Sequence, residues 1–265
     1  MKRIFKSIPA PQTLQDYARN HPDATWEQMC SDNAQATRDC RDQAIRDQYC
    51  LCAYCEQKIA ADDPLHRRVE HFHPKSDKTG THNWGLDWDN MLAVCDGGSS
   101  SSRKEQKMHP LPANLSCDAH KDRMIQTGKL PAACEGRLMN PLDLPSFPNL
   151  FALDKGTGYF KPNEASCVVT EIQGNACGTT AELVNGTITA LNLNCERLAE
   201  KRRLLVVNMD KNKKTLRQRG IPPVEMPEKL VLRYFGAKWP EFFTTLRCCL
   251  GPNAESYLNS VHYQG

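Results

Sequence analysis

The chain has 265 residues, of which 40% are apolar and 25% charged, and a formal net charge of +3. That balance fits a globular chain with a real core and excludes a disordered segment or a minimal disulfide scaffold. No apolar run reaches the roughly 20 residues of a membrane span, and Met1 to Gln12 lacks the apolar stretch of a secretory signal, so the expected compartment is the reducing cytoplasm, with no membrane contact.

A short helix is expected around Thr13–Arg19. A longer one is expected from Asp32 to Tyr49, capped by Asp32, with Ala36, Cys40, Ala44 and Gln48 on one side at four-residue spacing. These make a helical N-terminal region, 1–50. The next region, 51–127, concentrates chemistry. Six of the eight histidines (His66, His71, His73, His82, His109, His120) fall there, bracketed by Cys52, Cys55, Cys95 and Cys117. Val69–Ser76 reads as a strand ended by Pro74, with Glu70 on one face and His71 and His73 on the other. Gly97–Ser102 reads as a mobile loop and Cys117–Gln126 as a helix.

Residues 128–176 read as a Pro-rich linker and a hairpin. Four prolines fall between Leu130 and Pro148. Phe151–Leu153 and Tyr159–Lys161 flank the turn residues Asp154 to Gly158, and Ser166–Ile172 is a further strand candidate. Residues 177–265 are expected to be helical. Within them, Glu196–Arg219 carries nine Lys or Arg against three acids, a local +6 that the net charge conceals. That segment is either a solvated helix face or a contact for phosphates or an acidic partner.

Thirteen cysteines are many for a reducing compartment, and the odd total rules out complete intrachain pairing. A metal is then a better reading than disulfides. Cys52-Ala53-Tyr54-Cys55 is a C-x2-C knuckle, the spacing at which two thiolates hold one tetrahedral Zn²⁺ with two ligands from elsewhere. A redox pair shares the spacing, but no βαβ pattern surrounds it. Cys95 and Cys117 are the expected completing ligands, with His109 and Cys134 as substitutes. Four thiolates leave no open position, so this zinc would be structural.

Several blocks of this chain carry a resemblance. Val69-Glu70-His71-Phe72-His73-Pro74-Lys75-Ser76, Trp88-Asp89-Asn90-Met91-Leu92, Val94-Cys95 and Cys117-Asp118-Ala119-His120-Lys121 resemble the HNH (ββα-metal) nucleases. With Asp47 to Glu56 and Leu191-Asn192-Leu193-Asn194-Cys195 added, they resemble the PtuB-like HNH effectors of Septu and retron antiphage systems. The likeness runs from the N-terminal helices to about Arg203 and is strongest over 47–121.

That resemblance implies an α+β fold, with a zinc-stabilised ββα-metal unit flanked by helical N- and C-terminal regions. It implies metal-dependent hydrolysis of nucleic-acid phosphodiester bonds. By position, His71 is the general base, Glu70 and Asp118 hold Mg²⁺ or Mn²⁺, and Asn90 braces the strand loop and orients His71. The last metal position is normally His or Asn in this family. Asp118 stands there instead, a competent hard ligand, and His120 is the alternative. The resemblance also implies a PtuA-like ATPase partner of the ABC/SMC type. For a retron member it implies a reverse transcriptase and its small nucleic acid. DNA is the superfamily's default substrate, and a specific RNA such as tRNA is an alternative. A zinc-stabilised binding module that has lost catalysis is a further alternative. Lys121 is read as a solvated helix lysine or a contact to the substrate backbone. His73 is either a phosphate or metal contact or packs beside Pro74. Trp84 and Trp88 are expected in the core, and His66, His82 and His109 at the surface.

Overall fold

The computed structural model describes residues 1–7, 9–59, 67–100 and 102–265. Three helices open the chain: α1 (Gln12–Asn20), α2 (Trp26–Asp32) and α3 (Ala34–Asp47). Both α1 and α2 pack on α3. The helix expected from Asp32 therefore starts at Ala34, and Asp32 closes α2 instead of capping α3. The cap is Asn33, whose Oδ1 accepts the Ala36 N–H at 3.0 Å. Its backbone is non-helical (φ −139°, ψ 76°), as a side chain that bonds its own downstream amide requires.

Ala36, Cys40 and Ala44 form the buried stripe of α3, as their spacing suggested. Gln48, just past its end, is also buried. Its amide behaves like a piece of strand. Nε2 donates to Leu51 O (2.9 Å) and Ala93 O (2.7 Å), and Oε1 accepts from Ala93 N (2.8 Å).

β1 (Arg68–His71) pairs antiparallel with β2 (Met91–Val94), setting Glu70 opposite Leu92 and His71 opposite Met91. All four residues of β2 are buried, and α3 packs on both strands. β1 stops at His71, short of the expected Pro74. Phe72 N still donates to Asn90 O (2.9 Å), but beyond it the Asn90 side chain replaces the ladder. Its Oδ1 accepts His73 N (2.7 Å), and its Nδ2 donates to His73 O (3.0 Å) and Trp84 O (2.9 Å).

Then come α4 (Arg103–Met108) and α5 (Cys117–Gln126). The proline-rich stretch after α5 holds no helix or strand, yet Leu130, Cys134, Leu138, Met139 and Leu144 are buried in the main apolar cluster. β3 (Phe151–Leu153) and β4 (Phe160–Pro162) form the hairpin, whose turn is held by Asp154 accepting from Gly156 N and Thr157 N.

The strand expected at Ser166–Ile172 is a helix, α6 (Glu164–Val169). Val168 and Val169 are 84% and 77% exposed, so their β-branched pattern marks no buried sheet face. Five further helices complete the chain: α7 (Thr180–Ala190), α8 (Glu196–Gln218), α9 (Met226–Phe235), α10 (Phe243–Leu250) and α11 (Pro252–Ser260). A second, aromatic-rich cluster including Met209, Phe235, Phe243, Leu258 and Tyr263 holds α8 to α11 together, while α7 packs in the main one. The fold is thus helix-rich and mixed, with two small antiparallel sheets among the described residues. Among those residues, no helix is long and apolar enough to cross a membrane.

Gln48→Ala removes the partner of the buried Ala93 N–H. An unsatisfied buried donor costs about 1–3 kcal/mol, so the urea midpoint should fall with an unchanged slope. An unmoved midpoint would show that Gln48 does not anchor β2.

Candidate active site and metal centre

The knuckle, the residue after β2 and the first residue of α5 bring four sulfurs together. Cys52, Cys55, Cys95 and Cys117 are buried, with all four Sγ atoms within 4.8 Å of one another. Cys52–Cys117 and Cys95–Cys117 are 3.8 Å apart, and Cys55–Cys95 is 3.7 Å. A tetrahedron with zinc–sulfur arms of ~2.3 Å has edges of about 3.8 Å, whereas disulfide sulfurs sit ~2.05 Å apart. None of the thirteen cysteines is in a disulfide. The donor set and its spacing therefore fit a closed zinc site.

The two substitute ligands lie elsewhere. Cys134 Sγ donates to Phe72 O (3.7 Å), and His109 Nε2 faces Glu200 (3.1 Å).

Local backbone makes this convergence possible. Cys117 has φ +56°, a strained value for a residue with a Cβ. Gly97 touches the same corner. Ser116 N donates to Gly97 O (2.9 Å), and a Cβ on Gly97 would fall 2.1 Å from Ser116 O. Only glycine lets the Cys95 and Cys117 turns approach this closely. The expected mobile loop is a fastened turn as far as Ser100: Asp96 accepts Gly98 N (3.1 Å) and Ser100 N (2.8 Å). Ser101 lies outside the described residues.

Beside this cluster, a cavity of about 340 Å³ is lined by Glu70, His71, Lys75, Asp118, Lys121 and Asp122, among others. β1 supplies Glu70 and His71, while the first turn of α5 supplies Asp118, next to Cys117. Asp118 faces Glu70. Burial first, then the Glu70 charge, pushes the Asp118 carboxyl up to about 8. Its Oδ1 is buried and has no hydrogen-bond partner. Two facing carboxylates with an unsatisfied oxygen make a donor set for a hard divalent cation.

Lys121 is not a solvated lysine. Three residues after Asp118, it lies on the same helix face and is 3% exposed. Its Nζ forms an ion pair with Glu70 and donates to Phe72 O (3.2 Å) and His71 O (3.4 Å). The ammonium is thus secured to the end of β1 and holds one Glu70 oxygen. His120 points elsewhere, donating from Nδ1 to Ala190 O (2.8 Å).

His71 is buried, its ring edge-on to Trp26 at 4.9 Å between centroids. Nε2 lies 3.1 Å from Gly85 O. A carbonyl only accepts, so Nε2 carries the proton and Nδ1 the lone pair. Burial pushes the imidazole down to about 4, keeping it neutral near pH 7.

His73 does not share this setting. Its Nε2 and Nδ1 face Asp77 (2.8 Å) and Glu135 (2.5 Å), and its ring lies on Trp84 at 4.0 Å. Both nitrogens are engaged, which leaves none for a metal. Trp88 is in the core, whereas Trp84 is half-buried. His82 is exposed beside Asp87, and His66 lies outside the described residues.

No family model matches the chain. It is 34% identical over 250 residues to an Escherichia coli protein named "Retron Ec83 putative HNH endonuclease", covering 93% of this chain and 92% of that protein. This chain belongs to the HNH endonuclease family. The match reaches HNH endonucleases as a family and does not single out the Septu branch that its motifs resemble.

Removing a metal from the four-sulfur centre leaves the knuckle, β2 and α5 without their common tie. Exhaustive chelation should lower the melting temperature and make the four buried thiols reactive to a thiol reagent. Complete chelation with no change in either measurement would rule out a structural metal there.

Proposed function

We propose that this HNH endonuclease is a metal-dependent effector of an antiphage defence system that hydrolyses nucleic-acid phosphodiester bonds. One observation carries the chemistry: a neutral histidine with its lone pair on Nδ1 shares a cavity with two facing carboxylates. The retron name of its relative supports the defence setting.

In this reading His71 Nδ1 takes the proton of the attacking water. The Nε2–H bond to Gly85 O holds the tautomer that makes this possible, and Trp26 holds the ring. Asn90 is a positioning residue. Its Nδ2 binds the carbonyl of Trp84, directly before Gly85, and so steadies the carbonyl that orients His71. Glu70 and Asp118 would hold Mg²⁺ or Mn²⁺, and the Asp118 Oδ1 without a partner supports that fit. Such an ion supplies charge neutralisation at phosphorus and stabilises the leaving oxygen. Lys121 keeps Glu70 in place. The zinc on Cys52, Cys55, Cys95 and Cys117 is structural, since thiolates take the soft ion and carboxylates the hard one.

Its partners would be nucleic acid, a PtuA-like ABC/SMC-type ATPase and, in a retron, the reverse transcriptase with its small nucleic acid, all in the cytoplasm. Sequencing the ends produced when the protein is expressed with its genomic neighbours would assign DNA or RNA.

Two outcomes test the site. His71→Ala should lower metal-dependent cleavage by at least about 10²–10⁴-fold, with zinc content and melting temperature intact. Retained cleavage in that variant would sink the mechanism.

Asp118, with its carboxyl pushed up to about 8, is protonated at pH 7 before a cation binds. Cation loading should therefore release close to one proton at pH 7 and tighten as pH rises toward 8. Calorimetry in buffers of different ionisation enthalpy reads this. Loading without proton release would remove Asp118 from the ligand set.

A further inference from the structure

The basic segment expected as a solvated or phosphate-facing helix has a buried member at its start. Arg197, the second residue of α8, is 7% exposed. Its guanidinium spans three segments: Nη1 donates to Gln57 Oε1 (2.8 Å), and Nη2 to Gly97 O (3.2 Å) and Ser116 Oγ (2.7 Å). Each partner is next to a cysteine of the cluster. Gln57 follows Cys55 by two residues, Gly97 follows Cys95 by two, and Ser116 precedes Cys117. All three also touch sulfur: Cys55 Sγ donates to Gln57 Oε1 (4.0 Å), Gly97 N donates to Cys95 Sγ (3.4 Å), and Ser116 Oγ lies 3.6 Å from Cys117 Sγ. The backbone of Gly98 presses on the guanidinium as well, since a Cβ there would lie 2.9 Å from Nε.

All three acceptors are neutral, and among the described residues no carboxylate stands within ion-pair distance of Arg197. A buried cation without a counter-charge is costly. Four thiolates around one divalent ion carry two net negative charges and are equally costly to bury alone. The two lie one hydrogen-bond layer apart. We propose that Arg197 balances the charge of the tetrathiolate zinc centre, and that this fastens the long helix α8 to the nuclease unit. The proposal rests on the zinc reading of the four cysteines.

The test compares Arg197→Lys, which keeps the charge, with Arg197→Gln, which keeps hydrogen bonding without it. Both are made in the full chain. Zinc affinity is measured by competition with a chromogenic chelator, and the pH midpoint of zinc release is followed alongside. Groups next to a metal's ligands typically change its affinity by about 10–100-fold. The Gln variant should weaken by that amount and release zinc at higher pH, while the Lys variant stays within about tenfold of wild type. A Gln variant that aggregates beside a folded, zinc-loaded Lys variant carries the same meaning. Equal loss in both overturns the proposal, because it assigns Arg197 to fork geometry and not to charge. Equal retention in both overturns it as well. Wild-type protein purified without zinc overturns the zinc reading itself, and the proposal with it. A zinc-loaded wild type with unaffected variants overturns the proposal alone.

Discussion

Four cysteine sulfurs within 4.8 Å of one another are the constraint on which the candidate site depends. They join a knuckle before β1, the end of β2 and the start of α5, segments also tied by Ala53 N to Ala93 O (3.0 Å) and Ser116 N to Gly97 O (2.9 Å). Asp118 follows Cys117 directly, so the position of the fourth sulfur decides where the second carboxylate stands. Moving that corner would part Asp118 from Glu70 and open the carboxylate pair. The strained φ of Cys117 and the close approach of Gly97 are tolerated because they keep this corner closed.

Around the corner the chain buries charge where most folds would avoid it. Glu70, Asp118 and Lys121 crowd one cavity, and Arg197 lies behind the sulfurs. Each such group costs free energy unless paired. Lys121 pairs with Glu70, while burial and the Glu70 charge favour the protonated form of Asp118.

Nor does the four-sulfur centre stand alone. Glu56, next to the knuckle, accepts Thr244 N at 2.8 Å from the first turns of α10. Gln57 accepts Arg197 from α8. Two adjacent residues just past the knuckle thus bind two distant helices, so the C-terminal helices form part of the wall that holds the centre.

Much of the site was legible from spacing and residue type. The C-x2-C knuckle, Glu70-His71, Asn90 and Cys117-Asp118 were all identifiable, because metal and acid–base chemistry admit few residue types. Helix faces and the Asp154–Gly158 turn were legible for the same kind of local reason. Three features were not. Asn33 displaced Asp32 as a cap because two adjacent Asx residues offer the same signal. The valines of α6 mimicked a strand because β-branching is only a weak preference. Lys121 and Arg197 read as outward-facing cations, solvated or in contact with phosphate or an acidic partner, because nothing in a one-dimensional pattern says whether a long side chain turns inward. The sequence by itself determined which chemistry this protein carries, since that is written in ligand and base types. Only the tertiary structure decided which charges are buried and which partners they find, because burial depends on segments as far apart in sequence as Met1 and Thr244.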